Sequence, residues 1–556
     1  MRPAGRGDLE SLYFTYPRFA ARRAPELDGA RDVHPVVIAG AGPVGMAAAL
    51  ALAQSGVRSV LLDRKDTFND GSRAICIARP SFQILQQIGA VEPFLAKALG
   101  WTKGRSYYRG TEMFRLQMPH ADSEKYLPMY NLQQQYIEQY LHEACAASAL
   151  IDIRWQSEVT GLSVRADGAV LNIASPHGAY DLAARYVLAA DGARSPIRSM
   201  LGLRMKGDNY EGRYVIADVQ MDHDFPTERR AFFEPAGNPG GTVLIHRQPD
   251  NIWRIDYQLK DGETVEDAMA EGNIRARVQA ILDDIGHTTA WDLEWWSVYT
   301  ANTLCLDDYR HGPVLFIGDS AHIVPIFGVR GLNNGLADAH NAGWKLGYVL
   351  NGLADDALLD SYSPERRGAT LDVFANATKS TRFMTPPTRG WALAREAVLS
   401  LSLSQEFARE FANPRQMQPY SYATSPISRF PARDAEFAGG PVTGTASPNA
   451  RLGDGSFLLD HAGKGFVGLF FGDAAPDAAL VADLKARDPM LTTLMISSRA
   501  TPGAIADLDG AIARIFAASP GSAYLLRPDL HIAGRWSVAH PAEMTAALDA
   551  CLGRAA

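Results

Sequence analysis

The chain has 556 residues, about 3.7 domains' worth at roughly 150 residues each. Lys and Arg number 54 against 62 Asp and Glu, a formal charge of −8, with 47% hydrophobic and 21% charged residues. These proportions exclude a disordered chain, a collagen-like repeat and a disulfide scaffold, and the acidic balance argues against nucleic acid as a partner.

The elements follow in chain order. Residues 1–34 read as an irregular leader, with no apolar core of a secretory signal. From Val33 to Val57 there is no Asp, Glu, Lys or Arg, a stretch long enough to cross a bilayer. Gly40, Gly42, Pro43 and Gly45 break it near its start, so it reads as a strand, a tight turn and a buried helix, and no membrane partner is expected. Val36–Ala39 is a short apolar strand, Val44–Ser55 an Ala/Leu-rich helix and Val60–Asp63 a second buried strand. Together they make a βαβ unit of about 30 residues. Helices are predicted at Arg79–Ile88 and Leu132–Ala147, and another strand at Val187–Ala190. From about Tyr210 to Leu259 the pattern becomes β, with alternating segments joined by turn residues such as Pro249-Asp250-Asn251. Pro313–Ile317 is a buried strand again, and a long helix runs from near Asn333 to Leu350. Residues 412–455 are rich in Pro, Gly, Ser and Thr and read as loops. Three strands follow, in GFVGLFFG, LTTLMISS and SAYLLRPD, separated by helical runs, which makes a compact α/β tail.

The expected fold class is therefore α/β: a Rossmann-like domain assembled from distant segments, an inserted β-sheet domain and a C-terminal α/β domain. The boundaries are 1–34 for the leader, 35–208 for the first part of the Rossmann-like domain and 209–300 for the insert. The returning part is 301–380, a helical segment and linker take 381–444, and the C-terminal domain is 445–556.

Three motifs carry chemistry. Gly40-x-Gly42-x-x-Gly45 lies between a strand and a helix. The first glycine permits the tight turn, the second lets the backbone approach a pyrophosphate, and the third lets helix and strand pack closely. The helix N-terminus adds free N–H groups and partial positive charge. Asp63, at the end of the next strand, is placed to accept hydrogen bonds from ribose hydroxyls. The second motif is DGARSPIR, with Asp191, Gly192, Ser195 and Arg198 after a buried strand. By itself it reads as a turn and a capped helix start. The third spans residues 312–346: a strand ends at Gly318-Asp319, a loop with Pro325 follows, and Gly331-Leu332-Asn333 opens a helix that forms an anion site.

In this order the motifs resemble those of the FAD-dependent aromatic hydroxylases, the single-component flavoprotein monooxygenases of the p-hydroxybenzoate hydroxylase class. The long tail makes the chain most similar to the phenol hydroxylase and 3-(3-hydroxyphenyl)propionate hydroxylase branch, whose members carry a thioredoxin-like C-terminal domain. The resemblance implies FAD and NAD(P)H as cofactors, dioxygen and a small aromatic substrate as partners, and hydroxylation of a phenol through a flavin C4a-hydroperoxide. It also implies residue roles. Gly40, Gly42 and Gly45 would line the pyrophosphate, and Asp63 the adenosine ribose, where the family more often has Glu; Arg64 stands beside it. Arg73 would approach the pyrophosphate and Gln134 would face the flavin. Asp191 and Gly192 match the motif linked to FAD and NAD(P)H, and Gly318 and Asp319 would hold the ribityl chain. Gly331, Leu332 and Asn333 would present N–H groups to the flavin edge. Where the family often has two prolines, this chain has Pro325-Ile326.

Absences matter as well. The four cysteines, Cys76, Cys145, Cys305 and Cys551, form no CxxC pair, so neither a zinc ribbon nor a dithiol site is written, and reduced thiols fit a cytoplasmic protein. A thioredoxin-like tail would thus serve packing or oligomerisation, a homodimer being one such assembly. There is one GxGxxG rather than two, and no WxWxIP pattern of a flavin halogenase. The competing expectations are oxidative dearomatisation or halogenation on the same fold, or a non-enzymatic flavin-bound scaffold.

The β-rich insert should supply the substrate wall. Alternation puts Leu244, His246 and Gln248 on one face, and Arg254, Asp256 and Gln258 on one face after the turn. A phenolate is more reactive than a phenol, so a base is expected. Two readings stand: His246 is the base with Arg254 and Asp256 orienting flavin or substrate, or His246 and Asp256 form a structural hydrogen bond. His322, inside GDSAH, reads as structural.

Overall fold

The computed structural model describes residues 1–121, 123–260, 262–325, 330–412 and 419–554. Its centre is an eight-stranded sheet in which five strands run parallel. Their order is Val314–Phe316, Gly178–Ala189, Val33–Ala39, Ser59–Leu62 and Ile151–Arg154. Val36, Val37 and Ile38 are fully buried, as a strand covered on both faces requires. Helix Pro43–Gln54 packs on this sheet through Met46, Ala47, Ala48, Ala49 and Leu52. The uncharged stretch is thus a core strand and a core helix, and no helix among the described residues is long and apolar enough to cross a membrane.

Helix Gly331–Leu350 crosses helix Pro43–Gln54 at close range. A Cβ on Gly335 would meet Val44 at 2.6 Å, and one on Gly343 would meet Ala51 at 2.5 Å. Glycine at these positions lets the two backbones approach, and this fixes where the later helix begins.

A second eight-stranded sheet carries the long strands Lys206–Met221 and Trp291–Cys305 next to Ile252–Gln258, Thr242–Arg247 and Arg229–Phe233. One face is apolar and packs on helix Glu271–Asp284 through Val243, Ile245, Trp253, Ile255 and Tyr257. The other face is polar near its middle. The strands Lys103–Tyr108 and Thr111–Gln117 complete this sheet from outside the 209–300 segment, Lys103–Tyr108 pairing in parallel with Arg229–Phe233. Neither these two strands nor their long-range partner is predicted from the sequence.

The leader has little regular structure, yet it is packed. Arg2 reaches Glu294 at 2.7 Å and Asp70 at 2.8 Å, and Phe14 is in the main core. The last sheet has the order Ile505–Ala506, Thr492–Ser497, Val467–Phe471, Ala523–Leu526, Ile532–Trp536. The first three of these strands are parallel and the last two alternate in direction. This body shares a core with helix Gly331–Leu350, where Trp344 and Tyr348 meet Phe466 and Leu525.

Candidate functional site

The glycine turn separates protein packing from ligand space. Gly40 has φ +108°, and a Cβ there would lie 2.3 Å from the Ala190 carbonyl oxygen. A Cβ on Gly45 would lie 1.9 Å from the Gly40 carbonyl oxygen. Both are therefore demanded by the fold. Gly42 caps helix Pro43–Gln54 with φ −75°, and a Cβ there would meet nothing within 4 Å. Neither backbone conformation nor packing requires glycine at 42, whereas the approach of a ligand to the helix N-terminus does.

Asp63 closes this cradle. Its two carboxylate oxygens accept the Ala41 and Lys65 amides, each at 2.9 Å, and burial raises its pKa. Each oxygen keeps a lone pair for a ribose hydroxyl. Arg64 is exposed beside it. Asp191 accepts the Ile197 amide at 3.0 Å through Oδ2, while its buried Oδ1 has no partner among the described residues. An orphaned buried oxygen of this kind marks a place for a donor. Gly192 has φ +79° and open space around it. Arg198 ties this motif to the third one by donating to the Ser320 carbonyl at 3.0 Å.

Asp319 is solvent-accessible, yet the surrounding protein raises its pKa. Gly318 has φ +63°, and its amide donates to Asp338 at 3.0 Å. His322 donates or accepts with the same Asp338 oxygen at 2.7 Å and is fully buried, as a structural residue should be. Pro325 is buried, and Ile326 lies outside the described residues. Gly331 and Leu332 are half-buried in the first turn of their helix. The Asn333 side chain faces the protein: Oδ1 accepts the Ala78 amide at 2.8 Å and the Ser81 hydroxyl at 2.7 Å, and Nδ2 donates to the Cys76 carbonyl at 3.1 Å.

Gln134 clamps the loop that carries Arg73. Its Oε1 accepts the Arg73 and Ala74 amides at 3.2 Å, and its Nε2 donates to Glu138 at 2.7 Å. The Arg73 side chain is exposed and makes no hydrogen bond with a described residue.

The polar face of the second sheet stands against this loop. The register sets Arg229 beside His246, His246 opposite Arg254 and Arg254 opposite Asp218, in one row across four strands. The next row holds Ala231, Leu244, Asp256 and Ile216. Arg254 is gripped by Asp218 through two bonds of 2.8 Å and donates to the carbonyls of Ser72 and Arg73. Its guanidinium is thus bound to protein on both sides and positions the 72–73 loop that carries Arg73. His246 and Asp256 make no hydrogen bond with each other; Nδ1 of one and Oδ1 of the other are buried with no partner among the described residues. Burial and the cations Arg229 and Arg254 push His246 down to about 3, so it is a neutral, weak base. Burial pushes Asp256 up to about 7 against the pull of Arg254. Of the two, Asp256 is thus the group held nearer to neutrality.

Arg229, Asp218 and Asn131 were not anticipated. Asn131 is fully buried, donates to the Arg247 carbonyl at 2.8 Å and accepts from the Trp101 indole at 2.8 Å and the Cys76 thiol at 3.1 Å. Arg229 and Asp218 lie at inward positions of alternating strands, which is a readable signal. Asn131 gives none, because its partners come from three distant segments.

The fold and site define a dinucleotide-binding α/β protein with a walled polar sheet face beside its nucleotide cradle. The profile of the FAD binding domain family matches residues 33–377, and the chain belongs to that family. FAD is its cofactor, and the open space at Gly42, the orphaned Asp191 oxygen and the exposed Asp319 carboxylate fit that group. The chain is 27% identical over 544 residues to a 3-(3-hydroxy-phenyl)propionate/3-hydroxycinnamic acid hydroxylase of Mycolicibacterium smegmatis, covering 92% of each. Its fold is similar to the flavin-dependent monooxygenase PieE, solved with FAD and substrate, with a TM-score of 0.81, 23% identity and coverage of 95% of this chain and 100% of that one. Aklavinone-11 hydroxylase, solved with FAD and aklavinone, gives a TM-score of 0.74 at 20% identity, covering 94% and 100%.

Proposed function

We propose that the protein is an FAD-dependent monooxygenase that uses NAD(P)H and dioxygen to hydroxylate a small phenolic substrate. The observation that carries this reading is the junction at Arg254, where the polar sheet face meets the loop of the nucleotide cradle. Its curated relatives of hydroxylase name, matched over most of both chains, support it.

The chain's own residues divide the work. The Gly40–Gly45 turn, Asp63, Asp191, Asp319, Arg73 and the N-terminus of helix Gly331–Leu350 would hold FAD, which supplies the redox chemistry with dioxygen when bound. Asp256 takes the phenol proton on Oδ1, which leaves the ring electron-rich. The Asp218–Arg254 pair holds the 72–73 loop against the sheet. Tyr108, Tyr214, Phe233 and Leu244 surround the same face with buried apolar surface that excludes water. The strand order of the C-terminal body supports a thioredoxin-like arrangement, and with Cys551 as its one cysteine it serves packing rather than dithiol exchange.

The test follows NAD(P)H oxidation and oxygen uptake with a panel of phenols and identifies products by mass. A product heavier by one oxygen is expected. Oxidation that no phenol stimulates would remove the hydroxylase reading.

A further inference from the structure

The irregular leader converges on one loop. Arg2, its side chain 3% exposed, donates to Asp70 at 2.8 Å and to Glu294 at 2.7 Å, and so joins residue 70 to the long strand Trp291–Cys305. The Tyr16 hydroxyl accepts from the Gly71 amide at 3.3 Å, from the Gln135 side chain at 2.8 Å and from Arg2 at 3.3 Å. Gln135 is buried and accepts in turn from the Tyr13 hydroxyl at 3.2 Å. The leader therefore reaches two adjacent residues of the loop, the second sheet and helix Gln134–Ala146. Among the described residues, the Asp70 carboxylate and the Gly71 amide find their partners in the leader alone.

Other elements hold the rest of the same loop. Gly71 has φ +73°, and a Cβ there would lie 2.0 Å from the Trp295 ring, so the backbone is wedged against the second sheet. Arg254 donates to the Ser72 and Arg73 carbonyls, and Gln134 accepts the Arg73 and Ala74 amides. The backbone from Gly71 to Ala74 is thus fixed at most of its polar atoms, while the Arg73 side chain stays exposed. The Arg73 charge pulls on Asp319 against the effect of burial, which puts the loop within reach of the third motif. A guanidinium carried on a fixed backbone is preorganised to meet an anion, because little freedom is left to lose on binding.

We propose that the leader is a strap that positions the 70–73 loop for FAD, with Arg2 and Tyr16 as positioning residues that act through Arg73. The proposal rests on the reading of Arg73 as a contact of the FAD pyrophosphate, and it goes beyond that reading by giving the leader a part in cofactor binding.

The test follows release of FAD from the holoenzyme by the rise of flavin fluorescence on dilution. Tyr16→Phe removes the hydroxyl and keeps the ring. Asp70→Ala removes the carboxylate of the loop and leaves Arg2 with the buried Glu294. Each should release FAD about tenfold faster than the wild type, as expected when a preorganised contact loses one tie. Arg73→Met should release it at least as fast. Tyr16→Phe combined with Arg73→Met should be no faster than Arg73→Met alone, because the strap acts through that side chain. Arg23→Ala, whose partner Asp28 lies within the leader, should keep the wild-type rate. Amide exchange in the apoprotein should accelerate at Gly71 and Arg73 in both strap variants and stay unchanged in Val33–Ala39. Wild-type release in Tyr16→Phe and Asp70→Ala beside faster release in Arg73→Met would overturn the strap alone. Wild-type release in Arg73→Met would remove the reading of Arg73 and the strap with it. Additive rates in the combined variant, faster release in Arg23→Ala, or exchange accelerated equally in Val33–Ala39 would mark a general loss of stability and overturn the assignment.

Discussion

Both carboxylate oxygens of Asp218 accept from the Arg254 guanidinium, each at 2.8 Å, across adjacent strands of the second sheet. Both residues are about 1% exposed. The pair has no bulk water to fall back on, so loss of one partner strands the other. Asp218→Asn should cost about 3–5 kcal/mol of stability. Arg254→Lys should cost a similar amount, because an ammonium cannot bind Asp218 in the fork geometry and also reach the carbonyls of Ser72 and Arg73. Urea unfolding midpoints at unchanged slope measure this. A shift worth less than about 1 kcal/mol in Asp218→Asn would show that the pair is not the strut assigned here.

The three glycines of the first turn should respond differently to a single methyl group. Gly45→Ala places a Cβ 1.9 Å from a carbonyl oxygen and should impair folding with or without FAD. Gly42→Ala meets no protein atom within 4 Å. Its apoprotein should lose no more than about 1–2 kcal/mol, the cost of placing Ala at an N-cap where Gly is preferred. FAD affinity should fall at least tenfold, because the methyl group occupies space left for the ligand. Flavin fluorescence titration of the two apoproteins distinguishes these outcomes, and unchanged affinity in Gly42→Ala would remove the cradle from that position.

Asp256 and His246 predict opposing slopes of stability against pH. Asp256 titrates at about 7 when folded, above the usual carboxylate value near 4. Between those values the folded chain holds a proton that the unfolded chain has lost, so stability falls as pH rises. His246 titrates at about 3 when folded, below its usual value near 6.5. There the unfolded chain binds the extra proton, so stability rises with pH. From about pH 4 to 6.5 the two contributions offset each other. Asp256→Asn should therefore gain a rising slope of up to about 1.4 kcal/mol per pH unit, and His246→Gln a falling one. Urea denaturation at pH 4, 5, 6 and 7 measures both. Slopes equal to the wild type in both variants would show that neither group is perturbed.

The same rows of the sheet show where sequence reasoning stops. The placement of the cradle, Asp191 and Asp319 was legible, because turns and strand ends are local. The alternation that gathers His246 with Gln248, and Arg254 with Asp256, was legible for the same reason. The protonation of these groups was not. It depends on the counterion that each finds across strands, and Asp218 lies 36 residues from the Arg254 it neutralises. The joining of Lys103–Tyr108 to Arg229–Phe233 was hidden likewise, since parallel pairing at that separation leaves no local trace.

Glu365 holds the last body of the chain to the first. It is 2% exposed and accepts from Lys345 at 2.7 Å, from Asn341 at 2.8 Å, from Ser425 at 2.6 Å and from Arg527 at 2.6 and 2.9 Å. Lys345 belongs to the helix that begins at Gly331, and Arg527 follows strand Ala523–Leu526 of the C-terminal sheet. Arg527 and Lys345 hold the Glu365 carboxyl far below the usual carboxylate range, while burial lowers Lys345 to about 8. Glu365→Gln keeps the shape but leaves two buried cations short of one negative charge. The cost should be about 3–5 kcal/mol. The loss should be local first, because the pair of cations spans the contact between the helix and the sheet. Amide exchange in Ala523–Leu526 and Ile532–Trp536 should then accelerate, while Val33–Ala39 stays protected. Equal acceleration in all three strands would mean that Glu365 stabilises one cooperative unit rather than a joint between two.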